Sequence, residues 1–185
     1  MLTNEIIIAQ TKKWIKEVVV GCNFCPFAAK ELKRGSIHYE VILSKDRKTI
    51  LEALAKAFDQ LNDDKKIETT LLILPEGFNI FSAYIHLVDL AESLLKKEGY
   101  EGIYQVASFH PDYLFAKAAA DDPTNYTNRS PYPMLHLLRE ESVGHAIDNY
   151  PGTENIPQKN IEYAKARGLA YMQLLREACL ARQLK

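Results

Sequence analysis

TTLLILPEGFNIFSAYIHLVDLAESLLKKEGYEGIYQVASF, residues 69–109, places an apolar run on either side of one long helical repeat. The first run, 69–75, is apolar and β-branched enough for a central strand and is closed by Pro75, Glu76 and Gly77. Asn79 can cap a helix running to Lys97, with Gly99 just past its end. A further strand follows over 103–109. A strand, a helix and a strand in this order make a β-α-β crossover, which is right-handed and sets its two strands in the same direction.

The pattern extends towards the N-terminus. Ile37, Tyr39, Val41 and Leu43 alternate with His38 and Glu40, predicting a strand over 36–43. Asp46 opens a helix to about Leu61 whose stripe is Ile50, Leu51, Leu54, Ala57, Phe58 and Leu61. Ile7, Trp14, Ile15, Val18 and Val19 mark a first helix from Asn4 to Val20, capped by Thr3 or Asn4 and ended by Gly21. The expectation is one α/β (or α+β) domain over residues 1–185, with a small sheet of three or four mainly parallel strands flanked by helices. A ferredoxin-like mixed sheet is the rival, because the first strand alternates more than a fully covered one should.

After Phe109 the periodicity lapses. The stretch to Pro133 holds Pro111, Pro123, Pro131 and Pro133, with room for one short helix at Tyr113–Ala120, and is long for a connection in a compact domain. Its aromatic residues, Phe109, Tyr113, Phe115, Tyr126 and Tyr132, argue for an ordered lid or site wall. A fourth helix is predicted from about Tyr132 to Ile147, and a last one from Pro157 to about Arg182.

Composition narrows the classes. Lys and Arg number 23 against 24 Asp and Glu, a net charge of −1 that would not by itself recruit nucleic acid or an anionic membrane. The apolar runs fall far short of a membrane span, and near the N-terminus Glu5 precedes the apolar run while Lys12 and Lys13 follow it, the reverse of a signal peptide. Three cysteines make no disulfide framework. A cytoplasmic protein with neither nucleic-acid nor membrane partners is expected.

Three segments carry candidate chemistry. Cys22 and Cys25 form a Cys-x-x-Cys spacing, but at the exit of a helix, where no dipole lowers a thiol pKa. Cys25 is the preferred thiol, since Pro26 and Phe27 fix and cover it, and burial as a small apolar side chain is its plain alternative. Ser108, His110 and Asp112 emerge at the carboxyl end of a strand, where open α/β sheets bind ligands. Alternatively, His110 and Asp112 serve their own turn.

The third segment is Asn128 to Glu141. Ser130 before Pro131 reads as a helix start whose free N–H groups, with Arg129 beside them and Tyr132 able to close over, would hold a carboxylate or phosphate. On the predicted helix His136 and Glu140 stand four apart and share a face, as a metal pair or as a base and its orienter, with Arg139 flanking them. Glu141 falls on the stripe expected to be buried, where a carboxylate needs a partner.

The pieces VVVGCNFCPFA (18–28), YQVASFHPDYLFA (104–116) and DDPTNYTNRSPYPMLHLLREESV (121–143) resemble the family known as domain of unknown function 1415, over nearly the whole chain. The resemblance implies that Cys25, Pro26, Phe27, His110, Pro111, Asn128, Arg129, Ser130, Tyr132, His136, Arg139, Glu140 and Glu141 occupy the family's motif positions. Cys22 falls outside them, which sets the resemblance against a dithiol mechanism.

Three functions remain open. One is an enzyme, a hydrolase or transferase, acting on a small anionic metabolite: Cys25 as nucleophile, His110 or His136 moving a proton with Glu140 beside it, and Asn128, Arg129, Ser130, Tyr132 and Arg139 binding the substrate. A second is a divalent-metal protein with His110, Asp112, His136 and Glu140 as ligands. The third is a non-catalytic binding or interaction module. No cofactor is specified by any motif.

Overall fold

A strand that periodicity assigns to a helix, Met134–Arg139, lies in the interior of the sheet. In the computed structural model, which describes residues 2–181, the order is α1 (Asn4–Trp14), α2 (Ala28–Arg34), β1 (Ile37–Val41), α3 (Arg47–Asp63), β2 (Thr69–Ile73), α4 (Phe81–Lys97), β3 (Tyr104–Phe109), β4 (Met134–Arg139), α5 (Glu140–Asn149), α6 (Ile156–Arg167) and α7 (Leu169–Leu180). The three strands expected between residues 36 and 109 are present. The sheet runs β1-β2-β4-β3. β1 and β2 are parallel, while β4 is antiparallel to both its neighbours. β2 and β3 therefore share a direction, as the crossover demands, but β4 separates them. The mainly parallel expectation gives way to a mixed sheet with one parallel pair.

Each face of this sheet is covered by helices, which makes three layers. On one face Leu72, Leu74, Leu135 and Leu137 meet Ile50, Leu54 and Phe58 of α3 and Tyr84, Leu87 and Ala91 of α4. On the other, Leu71, Ile73 and Met134 meet Ile7 and Trp14 of α1 and Met172 and Cys179 of α7. Burying each such large side chain is worth about 1.5–3 kcal/mol, so the two clusters supply most of the drive to fold. Caps set the ends: the Asp46 carboxylate accepts from Thr49 N at 2.9 Å, a contact worth about 1 kcal/mol.

The first helix does not stay α-helical. Ile15–Val20 form a π-helical segment, and Gly21 N donates to Lys16 O at 3.0 Å. A Cβ at Gly21 would run into the Glu17 carbonyl oxygen, so glycine is needed here for clearance. The widened turn then holds the chain that leaves it: Phe24 N and Cys25 N both donate to Val19 O, at 2.9 and 3.3 Å. Cys25 is thus placed by the end of this segment.

Two other expectations change. The last helix is two, broken at Gly168 (φ 78°, ψ 165°), a conformation open essentially to glycine; its expected end, Arg182, lies outside the described residues. Tyr113–Ala120 is not helical, and the only helical turn of that long connection is a 3₁₀ turn at Pro123–Thr127. No helix among the described residues is long and apolar enough to cross a membrane.

Candidate functional site

Alternation along β4 decides which predicted residues meet. Met134, His136 and Leu138 point to the α1 side of the sheet; Leu135, Leu137 and Arg139 point to the α3 side. His136 sits opposite Ala107 of β3 and Leu71 of β2. The small Ala107 side chain leaves space beside it. Here a cavity of about 840 Å³ opens between the sheet, the π-helical end of the first helix, the Cys25-Pro26-Phe27 turn and α5. Its walls are mainly apolar, including Trp14, Val19, Leu71 and Phe109, with polar interruptions at Thr69, Gln105, His136 and Ser142 and, around them, Glu68, Lys30, Glu31, Arg139, His145 and Asn149. Cys25 and His136, two of the proposed catalytic residues, line it together.

The protonation of His136 follows from its partners. Its Nε2 lies 2.6 Å from Thr69 Oγ1. That hydroxyl has one proton and gives it to Leu137 O at 2.5 Å, so the ring must be the donor in the first contact. His136 is therefore the Nε2–H tautomer. Its Nδ1 has no partner among the described residues and is not enclosed. It offers a lone pair to the cavity. Burial lowers the His136 pKa to about 4, and the ring is neutral across the physiological range.

Cys25 stands at the entrance of α2, so the thiol does face a helix start. Burial pushes its pKa up, and hydrogen bonding from the backbone at Ala28 and Phe27 pulls it back in part. Cys22 is buried separately, with Tyr163 beside it, and none of the three cysteines is in a disulfide. The Cys-x-x-Cys spacing is not a dithiol centre here.

The other candidates are placed elsewhere. His110 is fully buried on the α4 side of the sheet, against Phe81 and Tyr84. Its Nε2–H donates to Phe78 O at 2.8 Å and its Nδ1 accepts from Asp112 N at 2.9 Å. Both nitrogens are satisfied, and the ring lies across the sheet from His136. Ser130 opens no helix: it is buried, and its hydroxyl donates to Tyr132 O at 2.5 Å. Tyr132 in turn bonds Gln10 through its hydroxyl. With β4 extended, His136 and Glu140 do not share a helix face. Glu140 is exposed at the start of α5, and Glu141, expected on a buried stripe, is exposed and 3.9 Å from His145. No group of three His, Cys, Asp or Glu among the described residues is arranged to hold a metal ion, so His110, Asp112, His136 and Glu140 form no ligand set.

The arginines are occupied by carbonyls. Arg129 donates from Nε to Tyr113 O at 3.0 Å and from Nη2 to Ala120 O at 2.9 Å, and it covers the Tyr126 ring at 4.7 Å. Asn128 Nδ2 reaches Ser108 O at 3.4 Å. Asn125, fully buried, does the same work from inside: its Oδ1 accepts from Phe115 N at 3.0 Å and its Nδ2 donates to Ala119 O at 2.8 Å. Arg139 borders the cavity, but its guanidinium turns to the end of α3, bonding Leu61 O and, at 2.9 Å, Ile67 O. The Asn-Arg-Ser-Pro-Tyr-Pro string thus fastens the long connection to the sheet.

Sequence reasoning missed the cavity's own polar groups, Thr69 and Gln105, and Tyr150, whose ring meets that of Phe27 edge-on at 5.7 Å. The only signal was a small residue, Ala107, in register with a histidine on the same sheet face. No curated protein and no solved structure matches the chain. A family model described as "Protein of unknown function (DUF1415)" matches residues 6–174, and the chain belongs to that family.

Proposed function

We propose that the protein binds a small, largely apolar molecule in the cavity between β4 and α5, with His136 as its polar anchor. The observation that carries this reading is the cavity itself: about 840 Å³ of mainly apolar wall, within the size range of small-molecule sites, with the neutral His136 imidazole on its sheet side. The anionic metabolite expected from the sequence would need a free cation inside. Arg129 and Arg139 are spent on carbonyls, and Lys30 at the rim is exposed and 3.8 Å from Glu31.

A second reading keeps the enzyme, a hydrolase or transferase using Cys25, and is favoured by the place of Cys25 on the same cavity as His136. Against it, passing a proton from a thiol raised by burial to an imidazole lowered to about 4 is uphill, so the resting pair stays neutral. Binding therefore stands first.

The test uses N-phenyl-1-naphthylamine, a neutral apolar fluorophore. Wild type should enhance its emission with saturation in the micromolar range, and Ala107→Phe, which fills the cavity beside His136, should abolish this while the circular dichroism spectrum is kept. No enhancement by wild type, or equal enhancement by the filled variant, removes the reading.

A further inference from the structure

The cavity reading can be carried to the chemistry of the ligand's inner end. His136 Nε2–H is committed to Thr69, and Thr69 Oγ1–H to Leu137 O. What remains is Nδ1, an acceptor without a partner on a mainly apolar wall. An acceptor left unpaired in such surroundings on ligand binding loses its water and gains nothing. A group that donates to it restores the bond. A carboxylate or phosphate oxygen would instead set lone pair against lone pair and bring a charge out of water.

The body of the ligand is constrained by α5. None of its ten residues is buried, although Val143 and Ala146 on its inner side line the cavity. The helix therefore borders the cavity as a wall with apolar side chains turned towards it. Behind it, Trp14, Leu71 and Phe109 offer the same kind of surface from the opposite side.

Resting on the binding function proposed above, we infer that the ligand is an apolar molecule whose buried end is an uncharged hydrogen-bond donor, an alcohol, phenol or amide N–H, received by His136 Nδ1 and enclosed beneath α5. A carboxylic acid enters only with its proton.

Three probes sharing one body test this: 4-phenylbutan-1-ol, its methyl ether and 4-phenylbutyrate, each titrated by calorimetry at pH 8. The alcohol should bind about tenfold more tightly than the ether, the size of one hydrogen bond to an otherwise unsatisfied acceptor. The carboxylate should be weaker than the alcohol and gain affinity as the pH is lowered towards 6, with proton uptake. His136→Phe should equalise alcohol and ether by losing only the alcohol's advantage. If that variant does not fold, the three-probe comparison in wild type decides alone. An ether as tight as the alcohol, or a carboxylate tightest at pH 8, overturns the donor assignment and leaves the cavity reading intact. If none of the three binds and N-phenyl-1-naphthylamine is also refused, both are overturned.

Discussion

Arg129→Lys separates a lock on the long connection from an anion fork. The guanidinium bonds two carbonyls seven positions apart in the chain, Tyr113 and Ala120, and stacks on Tyr126. An ammonium can reach one of these carbonyls at a time and forms no planar stack. The loss is therefore one charge-assisted hydrogen bond, about 1.5–3 kcal/mol when buried, reduced because the Ala120 end is exposed, plus about 0.5–1 kcal/mol of cation–π contact. The sum is about 2 kcal/mol. For a chain of this size each kcal/mol moves Tm by about 2–4 °C, so thermal unfolding followed by circular dichroism should show a fall of about 4–8 °C. Cleavage by a protease between Pro111 and Pro123 should accelerate in parallel. A Tm unchanged within 1 °C, together with phosphate stabilisation present in wild type and lost in the variant, would refute the lock and return Arg129 to anion recognition.

Three further outcomes are expected. Gly21→Ala should destabilise by about 1–3 kcal/mol in chemical denaturation, because its Cβ meets the Glu17 carbonyl and the π-helical segment must shift; an unchanged midpoint would mean that the turn relaxes freely. His136 has a folded pKa near 4, below the ordinary 6.5, because burial disfavours its charged form, so its neutral form stabilises the fold above pH 6.5 and that contribution is lost as pH falls from about 6.5 to about 4. It amounts to up to about 3 kcal/mol. Burial shifts His110 the same way, so His136→Gln should flatten the acid limb of a stability–pH curve in part, and an unaltered limb would contradict the assignment. Finally, the buried Cys25 thiol should react slowly with iodoacetamide at pH 7 and faster as pH rises, whereas rapid alkylation at neutral pH would promote the nucleophile reading.

What the sequence reveals here depends on how many faces of an element are covered. β1 alternates and β2 is a β-branched run closed by Pro75, and both are legible. β4 is covered on both faces, so its apolar residues, Met134, Leu135, Leu137 and Leu138, fit a strand and a helix equally, and His136 with Glu140 at a spacing of four tips the reading towards helix. The prolines at 131 and 133 then look like a helix start when they lead into a strand. This one misreading also displaced the site: on a helix, Ser130 and Arg129 hold an anion at its start while His136 and Glu140 share a face, whereas on a strand His136 faces the cavity and Glu140 does not. Cys25 and His136 were visible because their chemistry is carried by residue type. Thr69, Gln105 and Ala107 were not, because a cavity is made by what neighbouring strands leave unfilled, and no local pattern records that.

The position of β4 also affects how the chain is made. Synthesis delivers β1, β2 and β3 in order, yet β2 and β3 are joined only through a strand that comes after the whole of the 110–133 connection; Thr69 pairs with Leu138, and Tyr104 with Arg139. While the ribosome is still short of Met134, the growing chain holds the β1–β2 pair and a lone β3, each with an edge left unpaired for the missing strand. Such edges invite pairing between chains. The nascent protein is thus most vulnerable when more than half of it has been made, and its commitment to the native sheet is deferred to the emergence of six residues.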